Sequence, residues 1–230
     1  MPRPQRIERA GAVYYITNRR ADDLLLFQSP ADAEQFLQIL AETAAASDWR
    51  CLGYCLLAKE YHLVIRTERA TLSQGMQKLG AHYTEAFNRR HGRQGRVFGG
   101  RYKAILVEPD RYIVALMRYI LFSPALAGLA KDPAHWRWSS YRFTAGAAEP
   151  PDYLEIDWLV GRFGTSLPDA QAAWRADMAE SLKYSDNIAD WGKKLNRRAI
   201  LGSPEFASQV GKPGIEGQPN LERPLRGQAP

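Results

Sequence analysis

Arg50–Thr67 reads RCLGYCLLAKEYHLVIRT, two strand-forming runs, 50–57 and 60–67, with Ala58-Lys59 near the turn between them. Such a pair reads as two neighbouring strands. The second run alternates: Tyr61, Leu63 and Ile65 fall on one face, Glu60, His62, Val64 and Arg66 on the other. Upstream, residues 12–17 (AVYYIT) form a further strand. Ser29 and Pro30 then open a helix whose apolar stripe, Phe36, Leu37 and Leu40, runs to about Ala46. Downstream, Thr71 and Gln74 have capping-box spacing, and Leu72, Met76, Leu79, Tyr83 and Phe87 recur at helical intervals until Gly92. Residues 101–107 (RYKAILV) are the fourth strand. Glu108-Pro109-Asp110 opens a helix to about Phe122, stopping near Ser123-Pro124. The order β-α-β-β-α-β-α predicts an α+β fold: a ferredoxin-like split β-α-β antiparallel sheet with an added helix, which carries Tyr119.

Beyond Trp136 the character changes. Residues 153–163 and 168–184 look helical, and Ala199–Val210 is expected to fold back on the core. Gly211–Pro230 holds four glycines and four prolines, the composition of a disordered tail. The expected division is a core domain over 1–145, a helical extension over 146–210 and the tail over 211–230.

Across 230 residues, 31 lysines and arginines oppose 25 acids, a net charge of +6 that suits a polyanionic partner. No apolar run approaches the roughly 18 residues of a membrane span. The basic start MPRPQRIERAG lacks the hydrophobic stretch of a signal peptide, so a cytoplasmic protein is expected. Strand alternation would put Cys51 and Cys55 on one face roughly 13 Å apart, too far for a disulfide. They read as small core residues.

The chemistry concentrates in three places. Arg89–Lys103 (RRHGRQGRVFGGRYK) holds six cations, Arg89, Arg90, Arg93, Arg96, Arg101 and Lys103, with four glycines and no acid. Arginine forks and glycine amides suit phosphates, and Phe98 or Tyr102 offers a ring to an unpaired base. The plainer alternative is a solvated basic loop. Glu60 and His62, two apart on a strand, share a face and can chelate one divalent ion, although a strand with one polar face yields such pairs often. Tyr119 sits among apolar helix neighbours, flanked by Arg118 and followed one turn later by Ser123; a core tyrosine looks the same.

Together these pieces resemble the HUH-type single-tyrosine transposases of insertion sequences, in particular the REP-associated tyrosine transposases. The resemblance covers roughly residues 6–145 and more loosely the chain to Val210. It rests on YCLLAKEYHLVI (54–65), HYTEAFNRRHGRQGRVFGGRYK (82–103), RYILFSPALAG (118–128), WRWSSYR (136–142) and AILGSPEF (199–206). In that family two strand histidines bind a divalent metal at the scissile phosphate, and a helix tyrosine attacks to leave a 5′-phosphotyrosine and a free 3′-hydroxyl. By position Tyr119 matches the nucleophile and His62 the second histidine. Glu60 stands where the family has its first histidine. Leu121, Ser123 and Leu126 replace a histidine, an asparagine and an arginine in the family's RYIHLNPVRAG.

The resemblance implies a transposase-like single-stranded DNA-binding protein that nicks and rejoins DNA in transposition. Tyr119 would be the catalytic residue. Glu60, His62 and Ser123 would hold Mg²⁺ or Mn²⁺, and Arg118 would join the six loop cations on the DNA. The partner would be single-stranded or hairpin DNA, bound by a monomer or homodimer with no membrane involved. The alternative is a catalytically silent, domesticated hairpin-binding regulator. An RNA-binding module is a third reading, disfavoured by the lack of an RNP-type aromatic pattern in the third strand.

Overall fold

A computed structural model describes residues 7–20, 24–195 and 199–210. Its sheet is built from β1 (Ala12–Arg19), β2 (Trp49–Leu56), β3 (Glu60–Thr67), β4 (Lys103–Val107) and β5 (Ile200–Leu201) in the order β2-β3-β1-β4-β5. β1 runs antiparallel to both β3 and β4, β2 pairs antiparallel with β3, and only the short β5 lies parallel to its neighbour. The result is a mixed α+β fold on a mostly antiparallel sheet.

Alternation assigns the faces. Tyr14 and Ile16, with Tyr61, Leu63 and Ile65, pack under α1 (Pro30–Ser47) and α2 (Leu72–His91). Val13 and Tyr15, with Val64 and Ile105, pack under α3 (Pro109–Leu126). After α4 (Tyr141–Thr144) and α5 (Asp157–Val160), the helices α6 (Leu167–Leu182) and α7 (Ser185–Leu195) complete that second layer. Trp174, Met178 and Trp191 from α6 and α7 share its apolar core with α3. A final turn, α8 (Pro204–Gln209), follows β5.

Asp32 fixes the start of α1. Its carboxylate accepts from the amides of Gln28 and Ser29 (2.9 and 3.0 Å) and from Arg90 and His91 at the far end of α2. Burial would raise its pKa, but the bonds from His91, Arg90 and Ser29 outweigh burial and hold it below the ordinary value.

Several expectations change. A bulge between Cys51 and Gly53 shifts the register of β2, so Cys51 faces the α1–α2 layer and Cys55 faces α3. Both are buried free thiols on opposite faces, not on one. Thr71 does not cap α2: its hydroxyl donates to Ser47 O (2.7 Å), and the Glu8 carboxylate takes the Ser73 amide instead. α3 passes through Pro124 to Leu126. Proline lacks an amide to donate, but only the last turn loses a bond, and Pro124 is buried. Residues 153–163 yield only the single turn of α5. α7 had no counterpart in the sequence reading. The tail at 211–230 lies outside the described residues.

Distant segments cover the free side of β2 and the outer side of β4. Cys51 N donates to Tyr153 O (3.1 Å) and Leu56 N to Trp138 O (2.8 Å) along β2. Along β4, Leu106 N donates to Ala199 O (3.0 Å) and Glu108 N to Leu201 O (2.7 Å). Among the described residues, no helix is long and apolar enough to cross a membrane.

Candidate functional site

Strand register gathers the polar residues at one end of the sheet. Thr17 lies opposite both His62 and Lys103, and Arg19 lies opposite Glu60. Directly opposed residues share a face, so Thr17, His62 and Lys103 form a row on the α3 side, just beyond the row Val64–Tyr15–Ile105.

His62 is buried, and both ring nitrogens are engaged. Nδ1 lies 2.8 Å from the Tyr15 hydroxyl and Nε2 lies 3.6 Å from Glu60 Oε1. The hydrogen bond to His62 holds the Glu60 carboxyl below its ordinary value, against the opposing effect of burial. The α3 helix lays Tyr119 over this pair. Its ring sits edge-on to His62 at 5.9 Å between centroids and to Tyr15 at 6.4 Å. Burial, and then the charge on Glu60, raises the Tyr119 phenol above its ordinary value, while the Tyr15 hydroxyl pulls it back. On its other side Tyr119 meets Trp191 of α7 at 6.0 Å. A Cβ on Gly192 would fall 2.0 Å from Tyr119 Cε2, so only glycine lets α7 lie this close.

Three expected residues, Glu60, His62 and Tyr119, therefore converge; two others do not. Ser123 is buried and donates to the Tyr119 carbonyl at 2.9 Å, one turn back along its own helix. Its hydroxyl is engaged within its own helix. Arg118 is only 5% exposed and forks onto the Asp177 carboxylate of α6, with Nε to Oδ2 at 2.9 Å. It ties α3 to α6.

As a metal site, Glu60 and His62 supply one carboxylate and one imidazole within 3.6 Å. No group of three or more His, Cys, Asp or Glu able to hold an ion occurs among the described residues. Glu60 offers the oxygen donor that a hard divalent ion prefers, while the His62 imidazole suits softer metals better, so such an ion would need further oxygen donors from water or phosphate.

The basic loop is anchored by its aromatic residues. Val97 is buried, and Phe98 packs on Tyr61 and Tyr83, each 6.0 Å between centroids. Tyr102 packs against the same core. Neither ring stands free to stack on a base, as the sequence had suggested. The loop is sewn to the end of β1: Gly99 N donates to Arg19 O (3.0 Å) and Asn18 Nδ2 to Gly100 O (3.3 Å). Its cations differ in availability. Arg96 and Arg101 are exposed and have no partner among the described residues. Arg89 is exposed beside Glu85 at 3.7 Å, and Arg93 is half-exposed. Arg90 is held by Asp32 and by the Ala31 carbonyl. Lys103 is half-buried, donates to Leu195 O (3.3 Å), and has its pKa lowered by burial.

Sequence reading missed Tyr15, Arg19, Trp191 and Gly192. Tyr15 and Arg19 acquire meaning only from pairing with β3, which alternation within one strand does not disclose. Nothing local marks Trp191 or Gly192.

No known protein-family model matches the chain, and no curated protein matches it. Among solved structures the fold is similar to the structure of a REP-associated tyrosine transposase bound to a REP hairpin, at a TM-score of 0.55 and 13% identity. The alignment covers 68% of this chain and 95% of that one, a likeness of fold.

Proposed function

We propose that this chain binds hairpin DNA and nicks and rejoins a flanking single strand through Tyr119, on a sheet whose β2-β3-β1-β4 part is a ferredoxin-like split β-α-β unit. One observation carries the reading: Tyr119 meets His62 and Tyr15 at the same sheet end onto which the cationic loop is sewn. Arg96 and Arg101, with Arg19, contact the stem phosphates. The Tyr119 oxygen attacks the scissile phosphorus, the P–O3′ bond breaks, and the downstream 5′-phosphate stays on the tyrosine while the 3′-oxygen leaves as a hydroxyl. The phenol proton passes to water, and water returns one proton to the leaving 3′-oxygen.

Glu60 and His62 would hold a divalent ion, which when bound offsets charge on the phosphate oxygens. With His62 Nε2 turned toward Glu60, its Nδ1–H donates to the Tyr15 oxygen and fixes the ring. Tyr15 is then able to donate its own proton to the Tyr119 oxygen and favour phenolate character. Tyr15 is thus a positioning residue.

A second reading, silent hairpin binding, is favoured by α7, which sets Trp191 and Gly192 against the Tyr119 ring. The test uses hairpins with single-stranded flanks, labelled at the 5′ or the 3′ end, incubated with the protein with and without Mn²⁺ and run on denaturing gels. A protein adduct carrying the 3′ label, lost in Tyr119→Phe with affinity intact, is the expected result. Binding without any adduct leaves the silent reading. Tighter binding to RNA than to DNA hairpins of equal sequence overturns both.

A further inference from the structure

Of the six cations in Arg89–Lys103, Lys103 alone belongs to the sheet. It opens β4 and lies opposite Thr17 of β1, which on its other side lies opposite His62 of β3. Opposed side chains leave a sheet face about 5 Å apart, so Lys103 and His62 stand about 10 Å apart on the α3 side with only Thr17 between them. One row further in, Tyr15 is the diagonal neighbour of Lys103, and its ring meets Tyr119 edge-on.

The helix α7 places the ammonium independently. Lys103 Nζ donates to Leu195 O at 3.3 Å, and Leu195 stands about one helical turn beyond Trp191, the residue set against the Tyr119 ring. Sheet register and helix thus bring Lys103 to the flank of the Tyr119–His62 cluster from two sides. A cation drawn into an apolar layer is costly unless a strong acceptor meets it, and burial lowers the Lys103 pKa. A neutral carbonyl at 3.3 Å, past the usual range of about 2.7–3.2 Å, is a weak acceptor for an ammonium, whereas a phosphate oxygen is a strong one. The half-buried Thr17 adds a hydroxyl donor to the same space.

We propose that Lys103, with the Thr17 hydroxyl, binds a non-bridging oxygen of the phosphate that Tyr119 attacks, across the row from His62. This rests on the nicking reading above, and it assigns Lys103 to the reacting phosphate instead of the stem.

The test uses the full chain in EDTA, so that no divalent ion contributes. Hairpins with an unpaired flank carry a neutral methylphosphonate in place of one phosphate at a time, and affinity is read by anisotropy. Wild-type binding should fall about tenfold at one flank position, the loss expected for one charge-assisted bond. The adduct formed with Mn²⁺ should map to that same position. Lys103→Gln keeps a donor for Leu195 O but loses the charge. It should bind the ordinary flank about tenfold more weakly, with a salt slope shallower by about 0.7. It should match the wild type on the hairpin neutralised at that position, which also shows that the variant is folded. Equal weakening of Lys103→Gln on the two probes means a merely structural lysine and overturns the proposal, as does a wild type indifferent to every flank phosphate. A sensitive position away from the adduct overturns it too. Wild-type binding to no hairpin, or binding without any adduct, overturns the nicking reading instead and is seen without a variant.

Discussion

The two faces of the sheet are built differently. Under α1 and α2 the sheet is sealed by rings: Phe36 sits between Tyr61 and Tyr83, 4.8 and 5.1 Å away, and Phe98 closes the end. Asp32, its one fully buried carboxylate among the described residues, lies at the helix ends and is met by five donors. Under α3, α6 and α7 ionisable groups enter the apolar layer itself: His62 with Tyr15 and Tyr119, and Arg118 with Asp177. The first face is made to hold and the second to present. Ionisable groups cost desolvation in a core unless paired, so the His62 and Arg118 pairs within the α3 layer are the costlier placement.

The contrast can be broken in several ways, beginning with the largest effect. Arg118→Met leaves Asp177 without its partner and should lower unfolding stability by about 4 kcal/mol in urea titrations, whereas Arg118→Met/Asp177→Leu should recover most of the loss. A small effect of the single change would mean that the α3 face does not rely on its ion pair. On the ring-sealed face, Gly75→Ala puts a Cβ 2.1 Å from the buried Trp49 ring, which cannot retreat. A loss of about 3 kcal/mol is expected.

Asp32→Asn should cost about 2 kcal/mol at neutral pH by weakening its bonds to Arg90 and His91. The sign with pH follows from the lowered pKa. Its carboxylate stabilises the fold above the ordinary value of 3.8, and that contribution disappears as pH falls through the lower folded value. In acid titration the wild type should therefore converge on the variant below about pH 4. Gly192→Ala, the counterpart of Gly75→Ala, should cost only about 1 kcal/mol, because the half-buried Tyr119 ring can swing aside. Trp191 fluorescence should report that movement; equal costs for the two glycine changes would erase the distinction between the faces.

Much of the fold was legible because its signals are local. Alternation in Glu60–Arg66 assigned both faces of β3 correctly, and the helical spacing of Leu72 through Phe87 defined α2. Cys51 and Cys55 were misplaced because a bulge inserts one residue, and a bulge depends on what the neighbouring strand and Tyr153 demand. At the site, Glu60, His62 and Tyr119, singled out in the sequence, come together in the fold, but the packing of Arg118 and Ser123 was not legible. Whether an arginine faces solvent or Asp177 is decided by a helix that begins almost fifty residues later. The aromatic residues of the basic loop misled for the same reason. Phe98 looks like a stacking ring until Tyr61 and Tyr83 are placed beside it.

The segment that covers β4 carries a consequence for how the chain is made. Open strand edges are templates for pairing with other chains. Here β4 ends at Val107, while the segment that covers it, Ala199–Leu201, is synthesised roughly ninety residues later. At common translation rates the growing chain holds that edge uncovered for roughly five to twenty seconds, long enough for most strand pairing events. The helices from α4 to α7 are therefore also a delay, and a chain released before residue 201 would leave the ribosome with an edge ready to pair with another copy of itself.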